Sequence, residues 1–350
     1  MRNYIANGGG AAKVSHAILG GTPNHGVRAD PDIVPGNEFN GAGPFLMALN
    51  VPKGPGGERL PAGAAGVEIT PGLKWMTIRS DNNDKFAQPD GLWIGSKGTP
   101  TNVSFEGPAL KGAYNVVLPG RDHRETAYHP QAFAAAFQFV TGRSAVTPVG
   151  KHSALLITPE ARVVLGGEVG GLTAAGPTNL PLVDAQVTVY AVDPATGARQ
   201  GAALVDMTVG ADGRWGPITT DSRTPLEIVL AAPGFATTHF YRSPFLRSSD
   251  LVNLRPERLA ETDKTAGAVV SFSRPRAYFG LPRDSVLLDG APAAGIPTGV
   301  AGIATVKLKL DSAVARPVVG EFRSGVISER IVGVTWPAKD NQLTVLELHE

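Results

Sequence analysis

The stretch that decides the fold of the first part of this chain spans residues 115–142 and reads N-V-V-L-P-G-R-D-H-R-E-T-A-Y-H-P-Q-A-F-A-A-A-F-Q-F-V-T-G. It begins with an apolar run that ends at Pro119, and a run without alternation is typical of a strand buried on both faces of a parallel sheet. Pro130 suits the first position of a helix, the apolar residues after it recur at helical spacing, and Gly142 suits the position after the helix end. The stretch therefore predicts a strand, a polar turn that contains His123, and a helix.

The turn around His123 is one of three polar turns that follow predicted strands. The first follows a strand over residues 13–19 and reads T-P-N-H-G, and the second follows a strand over residues 74–80 and reads D-N-N-D-K. Open α/β sheets place their chemistry in turns that follow the carboxyl ends of the strands. Residues 22–26, 81–85 and 121–126 are therefore the candidate site segments.

Composition excludes several classes of function. The net charge is +1 with 18% charged residues, and no basic run is interleaved with aromatic residues, so nucleic-acid binding is not expected. The chain has no cysteine, which excludes a disulfide framework and thiolate metal sites. No apolar stretch approaches the roughly 20 residues of a membrane-spanning helix, and the first ten residues do not have the apolar centre of a signal peptide.

The sequence pattern changes after residue 143. We expect an α/β domain over 1–143 and a linker over 144–160, which is rich in proline, glycine and small residues. Over 161–350, short alternating runs such as A-Q-V-T-V-Y-A-V are separated by turns, which predicts a β-sandwich or barrel region. Two β-modules divided near 262–266 and one larger β-domain both fit this pattern.

An acid in the second turn and a histidine in the third follow the order of the last two members of the Ser, Asp, His series of α/β-hydrolases. Residues 1–142 resemble that superfamily, in particular its bacterial lipases and carboxylesterases, in the segments G-T-P-N-H-G, N-N-D-K and G-R-D-H-R-E-T. The resemblance implies a partial α/β-hydrolase sheet in which His123 is the general base. It implies that Asp84 orients the imidazole and stabilises its charged form, with Asp81 of the same turn as the alternative acid.

The chain departs from this family at the nucleophile. The family needs a G-x-S-x-G turn that exposes a serine, and no such motif is present in this sequence. The nearest segment is I-G-S-K-G around Ser96, which comes after the acid rather than before it, so we interpret Ser96 as a loop serine. In the family, the helix after the nucleophile runs into a sequence like R-N-Y-I-A-N-G-G-G-A-A-K-V, with which this chain begins. We therefore expect an N-terminally truncated hydrolase that has the acid and the base but lacks the nucleophile.

The second half of the chain carries its own resemblance. The segments L-V-D-A-Q-V-T-V-Y-A-V-D-P-A-T-G and G-A-D-G-R-W-G-P resemble the transthyretin-like or carboxypeptidase-regulatory-like β-sandwich of secreted enzymes, and the whole layout resembles two-domain bacterial lipases. The resemblance implies a lipid or ester substrate, a secreted or periplasmic location and no cofactor. Phe240, Tyr241 and Phe245, in segment 237–249, either face a lipid or the active-site cleft or belong to a sandwich edge that packs on the hydrolase domain.

Three functions compete at this stage. The first is a carboxylic-ester hydrolase by a Ser-His-Asp mechanism, of which this chain holds the acid and the base. The second is a non-catalytic binding or adhesive β-protein with a vestigial hydrolase remnant. The third is a metal enzyme that uses Asp81, Asp84 and His123, but the histidines lack the i, i+4 pairing of helical zinc sites, so no metal is expected.

Overall fold

The structure is a computed structural model that describes residues 1–81, 83–94, 97–145 and 159–349. The regular structure of the described residues is mainly strand, arranged in several sheets, with few helical residues. The chain divides into two compact units. Unit 1 comprises Met1–Lys151, Arg276–Gly280 and Pro297–Gly302, and unit 2 comprises His152–Pro275, Leu281–Ile296 and Ile303–Glu350.

Unit 1 contains four α-helices and three strands within its described residues. The helices are α1 (Arg2–Asn7), α2 (Pro44–Leu49), α3 (Glu125–Tyr128) and α4 (Pro130–Thr141), and the strands are β1 (His16–Gly20), β2 (Lys74–Ser80) and β3 (Tyr114–Leu118). Short 3-10 helices cover Gly10–Ala12 and Leu92–Ile94. The sequence predicted the strand and helix of the opening stretch, and Gly142 ends α4 with a φ of 70°, in the left-handed region that favours glycine.

The three strands form a parallel sheet in the order β1-β2-β3, with β1 at one edge. Both faces of the central strand are buried. Met76 and Ile78 pack with Ala132 of α4 on one face, whereas Trp75 packs with Ile5 of α1 on the other. Burial on both faces explains why apolar residues in these strands do not alternate with polar ones. No helix in the described part of the chain is both long and apolar enough to cross a membrane.

Unit 2 is built from strands. They are β4 (Val163–Glu168), β5 (Gly170–Thr173), β6 (Gly176–Pro181), β7 (Gln186–Ala191), β8 (Val205–Thr208), β9 (Arg214–Thr220), β10 (Leu226–Ala231), β11 (Thr237–Arg242), β12 (Ala268–Ser273), β13 (Asp284–Leu288), β14 (Ala291–Pro292), β15 (Thr305–Leu310), β16 (Pro317–Ser324), β17 (Ile327–Val334) and β18 (Gln342–Glu347). A 3-10 helix covers Ala338–Asp340.

A seven-stranded sheet in the order β15-β12-β18-β11-β10-β7-β8 is the centre of unit 2. One face packs on the two-stranded sheet of β4 and β9 through a large apolar core that includes Leu165, Trp215 and Ile228. The opposite face meets the four-stranded sheet β14-β13-β16-β17, where Gly333 approaches the Tyr241 ring. The central sheet takes strands from both sides of residues 262–266.

The aromatic residues of segment 237–249 lie inside this unit. Phe240 and Phe245 belong to the apolar core, and Tyr241 is 1% exposed on the other face of the sheet. The expectation that these side chains face a lipid or a cleft is therefore wrong, because both faces of strand β11 are covered by other sheets. The packed alternative is right that the three rings are buried, but β11 is the central strand of its seven-stranded sheet and not an edge.

One buried charged cluster lies on the sheet face that carries Tyr241. Glu227 is fully buried and accepts hydrogen bonds from Nε and Nη2 of Arg199 at 2.5 and 3.0 Å and from Nδ1 of His239 at 2.7 Å. Trp336 stacks on the His239 ring with 4.0 Å between the centroids. Burial would raise the pKa of Glu227, but the hydrogen bonds from His239 and Arg199 hold this pKa below its ordinary value.

Candidate functional site

The candidate site lies at the carboxyl edge of the unit 1 sheet. Because β1, β2 and β3 are parallel, the turns that follow them emerge at the same edge. Residues of all three turns line one cavity of about 100 Å³, among them Thr22, Asp84 and His123. The structure thus brings the three sequence-predicted segments together.

Asp84 and His123 are in direct contact. The Oδ2 atom of Asp84 lies 2.9 Å from Nδ1 of His123. Asp84 is 3% exposed, and its Oδ1 accepts a hydrogen bond from the backbone N–H of Phe86 at 2.8 Å, which fixes the carboxylate in its turn. The side chain of His123 is 37% exposed. The pair therefore joins a buried anion to an imidazole that solvent can reach.

The electrostatics of this pair favour the protonated imidazole. The hydrogen bond to Asp84 raises the pKa of His123 above its ordinary value, and the charges of Asp84 and Asp122 add to the effect. Burial and the nearby Arg124 act in the opposite direction but do not cancel it. When Nδ1 donates to Asp84 in the neutral ring, Nε2 is the nitrogen that can accept a proton.

Asp81, the alternative acid, has a different role in the geometry. Its Oδ2 accepts a hydrogen bond from the backbone N–H of Gly120 at 2.8 Å, and its Oδ1 accepts one from the N–H of Asn83 at 3.0 Å. Asp81 therefore ties the turn after β2 to the turn after β3. Its two oxygens are engaged with backbone groups, and it is Asp84 that contacts His123.

Asp122 anchors the histidine turn. It is fully buried, and its Oδ1 accepts hydrogen bonds from the backbone N–H groups of Arg124 at 2.9 Å and Glu125 at 3.0 Å. In return, Oε2 of Glu125 accepts from the N–H of Asp122 at 2.8 Å, which completes a reciprocal capping arrangement at the start of α3. The other carboxylate oxygen of Asp122, Oδ2, accepts a hydrogen bond from the backbone N–H of Tyr278 at 2.8 Å. The bond from Tyr278 was not predicted from the sequence.

The His123 ring sits in a close-fitting surround. A Cβ atom at Gly21, whose φ is +57°, would lie 2.9 Å from Cε1 of the ring, so only glycine leaves room there. Phe86 presents an edge-on ring at 5.1 Å between centroids, and Thr126 donates its hydroxyl to the His123 carbonyl at 2.8 Å. These contacts restrict the imidazole to an orientation that faces Asp84.

Two segments from late in the sequence, Arg276–Gly280 and Pro297–Gly302, belong to unit 1, and we call them the return segments. Tyr278 bonds Asp122, and Ala301 donates its N–H to the Asn83 carbonyl at 2.8 Å. The acid turn and the histidine turn are thus each held by a return segment. The amino-acid sequence alone contains no signal for this arrangement, because the return segments are loops that lie between strands of unit 2 in the chain.

Besides Asp84 and His123, the chemistry of the site depends on whether a serine nucleophile or metal ligands lie among its described residues. Ser80 lines the cavity, but its hydroxyl lies within hydrogen-bond distance of two acceptors, the Arg121 carbonyl and Oδ1 of Asp81, and its single proton is directed to one of them. Ser96 lies outside the described residues, as does most of the predicted linker 144–160. Within the described part of the chain, no group of three His, Cys, Asp or Glu side chains is placed to hold a metal ion. The arrangement offers a base with an oriented proton-accepting nitrogen.

Comparison with known protein families locates one match in unit 2. Residues 163–259 match the model of the lipase C-terminal domain. The match runs from β4 to beyond β11, and it supports a lipase-type two-domain protein. A search of curated proteins finds no match to the chain.

Proposed function

We propose that unit 1 carries the acid and the base of a carboxylic-ester hydrolase of the α/β-hydrolase type. The observation that carries this proposal is the 2.9 Å contact between Oδ2 of Asp84 and Nδ1 of His123, beside a cavity at the carboxyl edge of a parallel sheet. The order of the acid and the histidine along the chain and the lipase C-terminal match at residues 163–259 support the same assignment.

In this mechanism, Nε2 of His123 accepts the hydroxyl proton of a serine while the serine oxygen attacks the ester carbonyl. The tetrahedral intermediate collapses to an acyl-serine, and the imidazolium returns the proton to the departing alcohol oxygen. A water molecule then attacks the acyl group by the same proton transfers, which releases the carboxylic acid and restores the serine. Asp84 stabilises the imidazolium in both halves of the reaction. The chain has no G-x-S-x-G motif, so within residues 1–350 the proposal assigns only the acid and the base.

Two observations favour a second candidate, a binding or adhesive β-protein in which the hydrolase part is vestigial. The family match is confined to residues 163–259, in unit 2, and the nucleophile motif is absent from the sequence. In that case unit 2 carries the function, and the contact between Asp84 and His123 is a structural ion pair. For either candidate, a lipid or ester ligand and a secreted or periplasmic location remain part of the proposal.

The two candidates are separated by an activity test. The reading frame upstream of Met1 is examined for an in-frame G-x-S-x-G, and the chain is expressed with and without that segment and assayed with p-nitrophenyl butyrate and a fluorophosphonate probe. We expect the extended protein to hydrolyse the ester and label at serine, His123→Ala to abolish both, and the matched control His16→Ala to retain both. An active extended protein in which His123→Ala has full activity would contradict the proposal, and an upstream frame without the motif would favour the second candidate.

A further inference from the structure

Arg79 is a cation on the wall of the cavity beside the proposed acid and base. It lies near the end of β2, is half-buried and lines the same cavity as Asp84 and His123. One of its terminal nitrogens, Nη1, donates to the Gly107 carbonyl at 2.9 Å. Its Nε atom is buried and has no hydrogen-bond partner in the described part of the chain. A guanidinium keeps its charge at all physiological pH values, so Arg79 gives the cavity wall a permanent positive charge.

The other charged groups around the cavity already have partners. Asp84 is the sole carboxylate among the described residues that line it, and it bonds His123 rather than Arg79. His25, which also lines the cavity, places Nε2 at 3.0 Å from the carboxylate of Glu68. No carboxylate among the described residues lies within ion-pair distance of Arg79. The cavity wall therefore carries one positive charge that is not compensated by a direct partner.

The rest of the lining indicates what kind of molecule fits. Apolar side chains such as Leu19, Ile78 and Leu110 form part of the wall, and the volume of about 100 Å³ suits a small molecule. With one guanidinium and the Asp84 carboxylate on the same wall, a second negative charge on a ligand would be repelled rather than neutralised. A monoanion with a short hydrocarbon part matches both the charge and the apolar surface.

We propose that this cavity binds a short aliphatic carboxylate, whose oxygens accept hydrogen bonds from the Arg79 guanidinium. Charge-assisted bonds from arginine to a carboxylate are among the strong hydrogen bonds of proteins, and the planar guanidinium matches the planar carboxylate. The hydrocarbon part of the ligand lies against Leu19 and Ile78. The acid released from a short-chain ester is a ligand of this class. This link to the reaction product is the only part of the inference that rests on the proposed function.

The test measures binding without any ester hydrolysis. Butyrate, butyramide and inorganic phosphate are each titrated into the whole chain at constant pH and ionic strength, and the ring resonances of His25 and His123 are followed by NMR. We expect a saturable shift with butyrate and none with butyramide. The variant Arg79→Gln should weaken butyrate binding at least tenfold, whereas the exposed control Arg143→Gln should leave it unchanged.

The variant Arg79→Lys keeps the charge but not the planar donor group, and it should bind butyrate more weakly than the wild type and more tightly than Arg79→Gln. If Arg79→Gln does not fold, the comparison of Arg79→Lys with the wild type decides. The absence of a saturable butyrate shift, equal affinity in the Arg79 variants, or phosphate binding tighter than butyrate binding would each overturn the proposal. If butyrate binds but the extended protein does not hydrolyse the ester, only the proposed function is refuted. If the extended protein hydrolyses the ester but butyrate binding does not depend on Arg79, only this inference is refuted.

Discussion

Replacement of Asp122 by alanine tests how the histidine turn is held in place. The buried carboxylate accepts three backbone N–H groups, from Arg124, Glu125 and Tyr278, at 2.8 to 3.0 Å. Loss of the first two removes a helix cap, which costs about 0.5–2 kcal/mol. Loss of the third removes a hydrogen bond to a charged acceptor, which contributes about 1.5–3 kcal/mol. We expect Asp122→Ala to lower the local free energy of unfolding by about 2–4 kcal/mol.

The assay is native-state hydrogen exchange of the amides in β3 and α4, because exchange reports the free energy of local opening in this part of the chain. The matched control is Asp90→Ala, which removes a single exposed turn bond to the Leu92 N–H and should change the free energy by less than about 0.5 kcal/mol. We also expect Asp122→Ala to weaken or abolish the downfield NMR signal of the proton between His123 and Asp84. Two results would refute the view that Asp122 positions the histidine. The first is a loss of local unfolding free energy as small as that of Asp90→Ala. The second is the full expected loss with an unchanged NMR signal of the proton between His123 and Asp84.

Three further predictions follow from the same contacts. Asp84→Asn should lower the pKa of His123 in an NMR titration. It should reduce the free energy of unfolding most below about pH 6.5. A histidine whose pKa is raised in the folded state stabilises the fold at low pH, and this contribution is lost as the pH rises through the folded-state pKa. Equal destabilisation at pH 5.5 and pH 9 would contradict this. Gly21→Ala should push the imidazole away from the carboxylate and abolish the downfield proton signal, with the exposed Gly36→Ala, which meets no neighbour, as control. Glu227→Gln should cost about 3–5 kcal/mol in urea unfolding at pH 7, because it leaves the Arg199 guanidinium without its buried anion and also weakens the bond to His239. Since the pKa of Glu227 is lowered, this cost should shrink as the pH falls below about 4.5, and a cost independent of pH would exclude the ion pair as its cause.

The sequence predicted the elements whose signals are local. The residues of β2 and β3 follow from apolar runs bounded by polar turns, and α4 follows from Pro130 and Gly142, because proline and glycine have backbone preferences that act within a few residues. The contact of Asp84 with His123 was expected from their order along the chain. The choice between Asp81 and Asp84 was not accessible, because both lie in one turn and the hydrogen bonds of each carboxylate depend on the neighbouring turn.

The features that the sequence did not reveal depend on contacts between distant residues. The bond from Tyr278 to Asp122 joins residues far apart in the chain, and neither side of it has a distinctive local pattern. The misplacement of Phe240, Tyr241 and Phe245 has a related cause. A strand covered by sheets on both faces is rich in aromatic and apolar residues, and so is a surface that meets a lipid, so composition alone does not separate the two.

The return segments have a consequence for the time at which this site can form. A ribosome adds roughly 5–20 residues per second, so about 8–30 s pass between the synthesis of residue 151 and that of residue 302. During that interval Asp122 has no N–H from Tyr278, and Asn83 has no N–H from Ala301. The acid and the histidine turns therefore reach their final arrangement only after most of the β-strands have been made. For the same reason, no single cut in the gene releases unit 1 with its site intact.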